Sequence, residues 1–143
     1  VPLHFLTPSM DIPVVPLYVN GFAAPLPLAR RCQALGRTIA RFLKQWSPDT
    51  RVALLASGVF SLEVGGPQVG WTDVEWVQTV SDLLTRGDYR TLVRRATPQR
   101  MAAAGNVSGE LLNWITMTGA LGDVRPLFVE TDGGSGYAVW KLD

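Results

Sequence analysis

Residues 102 to 121, AAAGNVSGELLNWITMTGAL, hold a single charged side chain, Glu110, in twenty positions. After that acid, Leu111, Leu112, Trp114, Ile115, Met117 and Leu121 put apolar groups nearly all round a helix of about four turns. A helix of that kind has no face to give to water, so the rest of the chain must be able to cover it on several sides. With 143 residues, 47% of them apolar, the chain is long enough to do so as one domain, without disulfides. Its one cysteine, Cys32, cannot form an internal disulfide.

The covering elements are legible from pattern. IPVVPLYVN at 12–20 is β-branched, with prolines near its start and middle, and reads as a short buried or edge strand. A helix follows in which Leu28, Cys32, Leu35, Ile39, Leu43 and Trp46 repeat at intervals of three and four and call for a sheet to lie on. RVALLASG at 51–58, bounded by Pro48 and Gly58, is a continuous apolar run of the kind buried on both faces of a sheet. Strand, helix, strand at these lengths implies a right-handed parallel crossover.

The second half reads as a helical insertion. Thr72 with Glu75 forms a capping-box pattern, and Trp76 or Val77, Val80, Leu83 and Leu84 carry an apolar stripe to a stop at Gly87. Thr97-Pro98 starts a short helix that Gly105 closes, and Asn106 is placed to cap the next. VRPLFVET and GYAVWKLD then read as two strands around the turn DGGSG. The expected fold is therefore a single α/β domain over 1–143, with a largely parallel central sheet flanked by helices.

Composition excludes several functions. Thirteen Lys and Arg against twelve Asp and Glu give no basic surface for nucleic acid. No apolar run approaches the roughly 18 residues of a membrane span, so neither nucleic acid nor membrane is an expected partner. The lone thiol and the missing signal-peptide pattern fit a reducing, cytoplasmic setting. The opening at Val1, directly into a proline-rich apolar segment, reads like a chain entered partway through.

Two readings of Glu110 compete. In one it sits in the first helical turn, favoured by the helix dipole and the unpaired N–H groups. In the other the all-round apolar helix is buried, and its acid must be paired, neutral or bound to a metal. Spacing leaves both open.

AGNVSGELLNWITMTGAL resembles the C-terminal signature of class III extradiol ring-cleaving dioxygenases, the family that includes the protocatechuate 4,5-dioxygenase beta subunit and gallate dioxygenase. VPLHFLTPSMDIPVVPLYVN, PLPLARRCQALG, RVALLASGVFS and GDVRPLFVETDGGSGYAVW follow the same family's order. The likeness covers essentially all 143 residues but only the C-terminal half of the family's domain. It implies a non-haem Fe(II) held by two histidines and a glutamate, with open positions for a catecholate and O₂, and the glutamate position falls on Glu110. It also implies a loop beside the substrate pocket at Gly134, Ser135 and Gly136, where spacing alone favours a plain hairpin turn.

Two departures limit what the chain can do. It has one histidine, His4, which matches neither ligand motif and cannot complete the triad; the two histidines belong to the family's N-terminal half. Where the family carries an acid/base histidine after a Gly-Gly-Leu-Ser-like run, this chain has Leu62, which cannot move a proton. Ser61, without a histidine beside it, is not an activated nucleophile, and Glu63 reads as a solvated acid rather than a replacement base. The chain is thus expected to be inactive alone, with no catalytic residue of its own and Fe(II) only if residues elsewhere complete the site. Its expected partners are the missing N-terminal half or another dioxygenase subunit, with an aromatic diol as substrate and an oligomeric assembly. The alternative is a non-catalytic, dioxygenase-like subunit that stabilises an active one.

Cys32 is read as a buried inert thiol, Arg30-Arg31 and Arg94-Arg95 as solvated helix faces, and Trp46 and Trp76 as members of helix stripes.

Overall fold

The computed structural model describes residues 4–5, 7–46 and 50–142. Its elements are α1 (Ala29–Trp46), α2 (Val74–Arg86), α3 (Tyr89–Arg95), α4 (Pro98–Ala103), a 3₁₀ turn (Ser108–Glu110) that leads into α5 (Leu111–Leu121), β1 (Phe128–Asp132) and β2 (Ser135–Val139). The fold mixes helices with a small sheet.

Helix α5 is the centre of the molecule, as its composition demands: Leu111, Leu112, Trp114, Ile115, Thr116, Thr118, Gly119 and Leu121 are all buried. It packs most extensively on α1. The two backbones interlock through glycines, because a Cβ on Gly36 would run into the Thr116 carbonyl and one on Gly119 into the Gln33 carbonyl. The contact face of α1 is consequently Ala29, Cys32 and Gly36. The expected stripe through Leu35 and Trp46 is only partly used, since Leu35 is exposed and Trp46 stacks on Phe42 at 6.2 Å in the open. Close approach of two helices selected small residues over large ones.

Helices α2 to α4 follow their local signals with one correction. The N-cap of α2 is Asp73, whose carboxylate accepts from the Trp76 N–H at 2.9 Å, and not Thr72. Gly87 ends α2 with φ +70°, and Thr97 caps α4 with Pro98 at its first position. Asn106 caps no helix; it clamps Val64 by accepting from its N–H and donating to its carbonyl. The all-apolar helix is also shorter than expected, eleven residues preceded by the 3₁₀ turn.

The expected parallel sheet is not formed among the described residues. Their one sheet is the antiparallel hairpin β1–β2, in register from Phe128 opposite Val139 to Asp132 opposite Ser135, and it leans on α2. Segments 13–20 and 51–58 run straight, without bend or turn and with no positive φ outside Gly58, but neither makes a ladder. Pro48, expected to bound the second, lies outside the described residues. Far from being buried on both faces, 51–58 leaves Val52 and Leu55 exposed. A ladder needs a neighbouring strand at about 4.8 Å, and among the described residues neither segment pairs with one.

Candidate functional site

Three glycines determine where Glu110 sits. A Cβ on Gly21 would stand 2.8 Å from the Gly109 carbonyl and 2.9 Å from the Glu110 nitrogen, so the chain leaving 13–20 touches the 3₁₀ turn backbone to backbone. Gly109 fits as tightly against the Gly21 carbonyl. Gly58, at φ +152°, would bring a Cβ 2.7 Å from the Glu110 Cβ. The C-terminal ends of both unpaired segments therefore converge on one residue, Glu110. Carboxyl ends of strands are where ligands bind in α/β folds.

The carboxylate is oriented by a neighbour in space. The Val59 N–H donates to Glu110 Oε2 at 2.9 Å, and Oε1 accepts no hydrogen bond among the described residues. The side chain makes no capping bond to its own helix, so satisfying local N–H groups is not its role. The loop that supplies this donor is pinned from α5: Asn113 Nδ2 donates to the Ser57 carbonyl at 2.8 Å and Trp114 Nε1 to the Gly58 carbonyl at 2.9 Å. Trp114 also meets Phe60 edge to face, with centroids 4.9 Å apart. Spacing arguments missed Asn113 and Trp114. The available signal was a polar amide and an indole N–H within one turn of the acid on an otherwise apolar helix.

The hairpin turn reaches the same place. Val59 bridges Ser135, and the Gly134 carbonyl accepts from the Phe60 and Ser61 N–H groups at 2.8 and 3.2 Å. A Cβ on Gly134 would strike the Ser61 carbonyl, and one on Gly136 the Phe60 ring. Residues 134–136 are therefore docked on 59–61, which includes Val59, the residue that anchors Glu110. Gly134 closes the two-residue turn Gly133-Gly134, Ser135 and Gly136 open β2, and all three are held in place.

Ser61 to Glu63 hold the backbone together. Ser61 is fully buried, donates to the Ala104 carbonyl and accepts from the Asp73 N–H at 2.7 Å, so its hydroxyl is fully used. Leu62 is clamped through its backbone, its N–H on Ser108 Oγ and its carbonyl accepting from the Val107 N–H. Glu63 accepts from the Asn106 N–H at 2.8 Å and is tied into this turn. His4 is exposed, its ring edge-on to Phe5.

Other perturbed groups belong to the frame. Burial pushes the Cys32 thiol up, with a Thr116 hydrogen bond opposing, as an inert buried thiol requires. Burial also raises Tyr89, against the Trp140 N–H that donates to it. At Asp73 partial burial works against ionisation, but the Trp76 N–H and the Arg100 guanidinium at 2.7 Å outweigh it and hold the acid below the usual carboxylate range. Arg100 also lies 4.5 Å over the Trp76 ring.

The family described as the catalytic LigB subunit of aromatic ring-opening dioxygenase matches residues 1–137. The chain belongs to the LigB family. Among curated LigB-type relatives, gallate dioxygenase of Pseudomonas putida KT2440 is 33% identical over 124 residues, which cover 84% of this chain and 36% of that protein. A 2,3-dihydroxyphenylpropionate/2,3-dihydroxicinnamic acid 1,2-dioxygenase of Pseudomonas putida is 36% identical over 105 residues, covering 72% of this chain and 32% of the relative. A Klebsiella pneumoniae protein of the same description is 40% identical over 73 residues, half of this chain and 23% of the relative. The chain thus spans about a third or less of the length of the relatives it matches.

An Fe(II) held by two histidines and a carboxylate needs three donors on one side of the metal. Among the described residues no three His, Cys, Asp or Glu side chains gather, and Glu110 supplies one oxygen donor that is oriented and open. The residues present fit one ligand of such a set and cannot hold the ion by themselves. No helix among the described residues is long and apolar enough to cross a membrane.

Proposed function

We propose that this chain is the C-terminal portion of a non-haem Fe(II) extradiol dioxygenase that opens catecholic rings with O₂, and that it contributes Glu110 as the carboxylate ligand. The two histidines come from polypeptide outside residues 1–143. The observation that carries this reading is the state of the Glu110 carboxylate: half-buried at the converging ends of two strand-like segments, with one oxygen held by the Val59 N–H and the other unengaged. A surface acid at a helix start would gain nothing from a three-glycine cradle.

When bound, the metal would present open positions to a catecholate and O₂. This chain's own part is to orient. Val59 holds one carboxylate oxygen, and Asn113 and Trp114 hold the loop that carries Val59; in this reading Gly134, Ser135 and Gly136, docked beside Val59, would border the substrate. Acid–base work falls to other groups, since Leu62 offers no proton.

The test is an anaerobic Fe(II) titration by calorimetry of the chain joined by its completing polypeptide, alongside Glu110→Gln, which keeps the Val59 acceptor. Binding lost in the variant supports the ligand role; equal binding in both ends it. The isolated chain with added Fe(II) is expected to consume no oxygen with catechol or protocatechuate, and sustained uptake would contradict the missing-ligand argument.

Leu62 favours a second reading, a non-catalytic partner subunit in the cytoplasm that assembles with an active dioxygenase and stabilises it. In that case the completed assembly would bind iron without help from Glu110.

A further inference from the structure

Between segments 13–20 and 51–58 lies an open cleft, with Leu17 and Val19 on one side, residues 54–57 on the other, and Thr116 and Met117 of α5 in its floor. Both segments run in the same chain direction toward Glu110, which Gly21 and Gly58 approach at their ends. Neither wall forms a backbone–backbone hydrogen bond across 13–19 or 51–57 among the described residues; the Ser57 carbonyl accepts from the Asn113 side chain. The side chains beside the cleft are apolar and open to solvent: Leu17 is 60% and Leu55 64% exposed.

We infer that this cleft receives one β-strand of LigB-family polypeptide lying outside residues 1–143, inserted between 13–20 and 51–58 on the α1–α5 layer; the inference rests on the proposed function, in which such polypeptide completes the domain. Two segments whose peptide groups have no backbone partners among the described residues, on either side of a cleft floored by α5, are satisfied together by an extended chain between them, which can donate to and accept from both walls. A small ligand leaves most of those groups unpaired.

The prolines agree with the placement. In a strand, alternate residues direct their N–H and C=O groups to the same side. Pro13 removes a donor at the start of the odd-numbered row and Pro16 one in the middle of the even-numbered row, so Val15, Leu17 and Val19 form the longer run of N–H groups able to pair, as in an edge strand bonded on one side. Segment 51–58 contains no proline, and before Ser57 and Gly58, whose carbonyls accept from Asn113 and Trp114, its peptide groups can pair.

The occupant is not a second copy. The chain's described strands, β1 and β2, are paired with each other and docked on α2 and on 59–61, so a copy has no free strand to lend except the cleft walls themselves. Gallate dioxygenase supplies the length: 36% of it is matched here, so most of that polypeptide has no counterpart in this chain. The expected occupant is a parallel, β-branched apolar strand from that remainder, with alternate side chains on Thr116 and Met117.

The experiment is co-expression of the full 143-residue chain with the unmatched part of the Pseudomonas putida gallate dioxygenase polypeptide, followed by amide hydrogen exchange on the purified complex and on the chain alone. Exchange at Val15, Leu17, Val19 and across 52–57 is expected to be fast in the isolated chain and roughly tenfold or more slower in the complex. Leu17→Pro, which removes one donor from the pairing row, should abolish co-purification while leaving the isolated chain's melting temperature unchanged; Leu17→Ala, which keeps the N–H, should still co-purify. Failure to co-purify, a complex without slowing at both segments, or slowing in the chain alone that grows with its concentration would each overturn the inference, the last by making a second copy the occupant. A protected complex in which Glu110→Gln binds Fe(II) as wild type does would leave the strand in place and remove the ligand role. Glu110-dependent Fe(II) binding with both segments unprotected would do the reverse.

Discussion

Glu110 is held by backbone more than by side chains, and substitutions of its glycines report on that. At Gly58 a methyl would need φ near +152° and a place 2.7 Å from the Glu110 Cβ, so Gly58→Ala is expected to lower unfolding free energy by about 1–3 kcal/mol in urea titration. Glu110→Gln, which retains an acceptor for Val59, should fall within about 1 kcal/mol of wild type, and a larger loss would mean that the charge itself stabilises the fold. Asp73 gives a pH signature. Its folded pKa lies below the ordinary value, so its contribution is complete above the unfolded carboxylate's pKa of about 4 and drains away as pH falls through the folded value. Against Asp73→Asn, the stability advantage of wild type should be level near neutrality, narrow below about pH 4, and never widen on acidification. Asp73 was visible in the sequence as an acid before an apolar stripe, yet Thr72 made the more familiar pattern with Glu75. Geometry chose the residue whose carboxylate also reaches Arg100.

Among the elements, the α1–α5 contact shows where local preference and packing disagree. Gly119→Ala would gain up to about 1 kcal/mol of helix propensity, but the new methyl meets the Gln33 carbonyl and overpacking costs about 1–3 kcal/mol. Packing should win, and the variant should melt below wild type. The 57–60 loop depends on α5 in the same direct way. Trp114→Phe keeps a ring against Phe60 but withdraws the N–H from the Gly58 carbonyl, for an expected loss of about 1–2 kcal/mol and faster amide exchange at Val59. That loosening should not extend to α2, whose caps at Asp73 and Gly87 are independent of Trp114. Helix ends of this kind were legible residue by residue, as Thr97-Pro98 and Gly87 attest, because a cap is a contact between neighbours in the chain. The grip of Asn113 and Trp114 on 57–58 was not, because it joins residues 56 apart.

For the whole molecule, apolar surface is distributed unevenly. The core gathers around α5, whereas Val15, Leu17, Tyr18, Val52 and Leu55 open to water along the two unpaired segments. Surfaces of this kind mark places where another chain packs. The isolated chain is accordingly expected to bind an environment-sensitive apolar dye strongly, and to lose most of that signal when the completing polypeptide is present. The antiparallel hairpin packs Val129 and Ala138 on the core and also leaves Phe128, Tyr137 and Val139 exposed. One chain thus contains a core gathered around α5 and two segments without a ladder that point at Glu110.

The sequence by itself determined that a nearly uncharged helix must be buried, that the chain carries one histidine and so cannot assemble a two-histidine metal site, and that Leu62 cannot transfer a proton. Those conclusions depend only on side-chain chemistry and counting. It also carried the family, through motifs spread over its whole length. Only the tertiary structure decided that Glu110 is aimed by Val59 rather than by its own helix, that Ser61 and Glu63 tie turns, that residues 134–136 are docked rather than loose, and that 13–20 and 51–58 join no ladder among the described residues. Each of those is a relation between segments distant in the chain, set by backbone approach at Gly21, Gly58, Gly109 and Gly134. Periodicity registers a residue's preference for a face or a conformation; which carbonyl or carboxylate lies opposite is settled only when the segments meet.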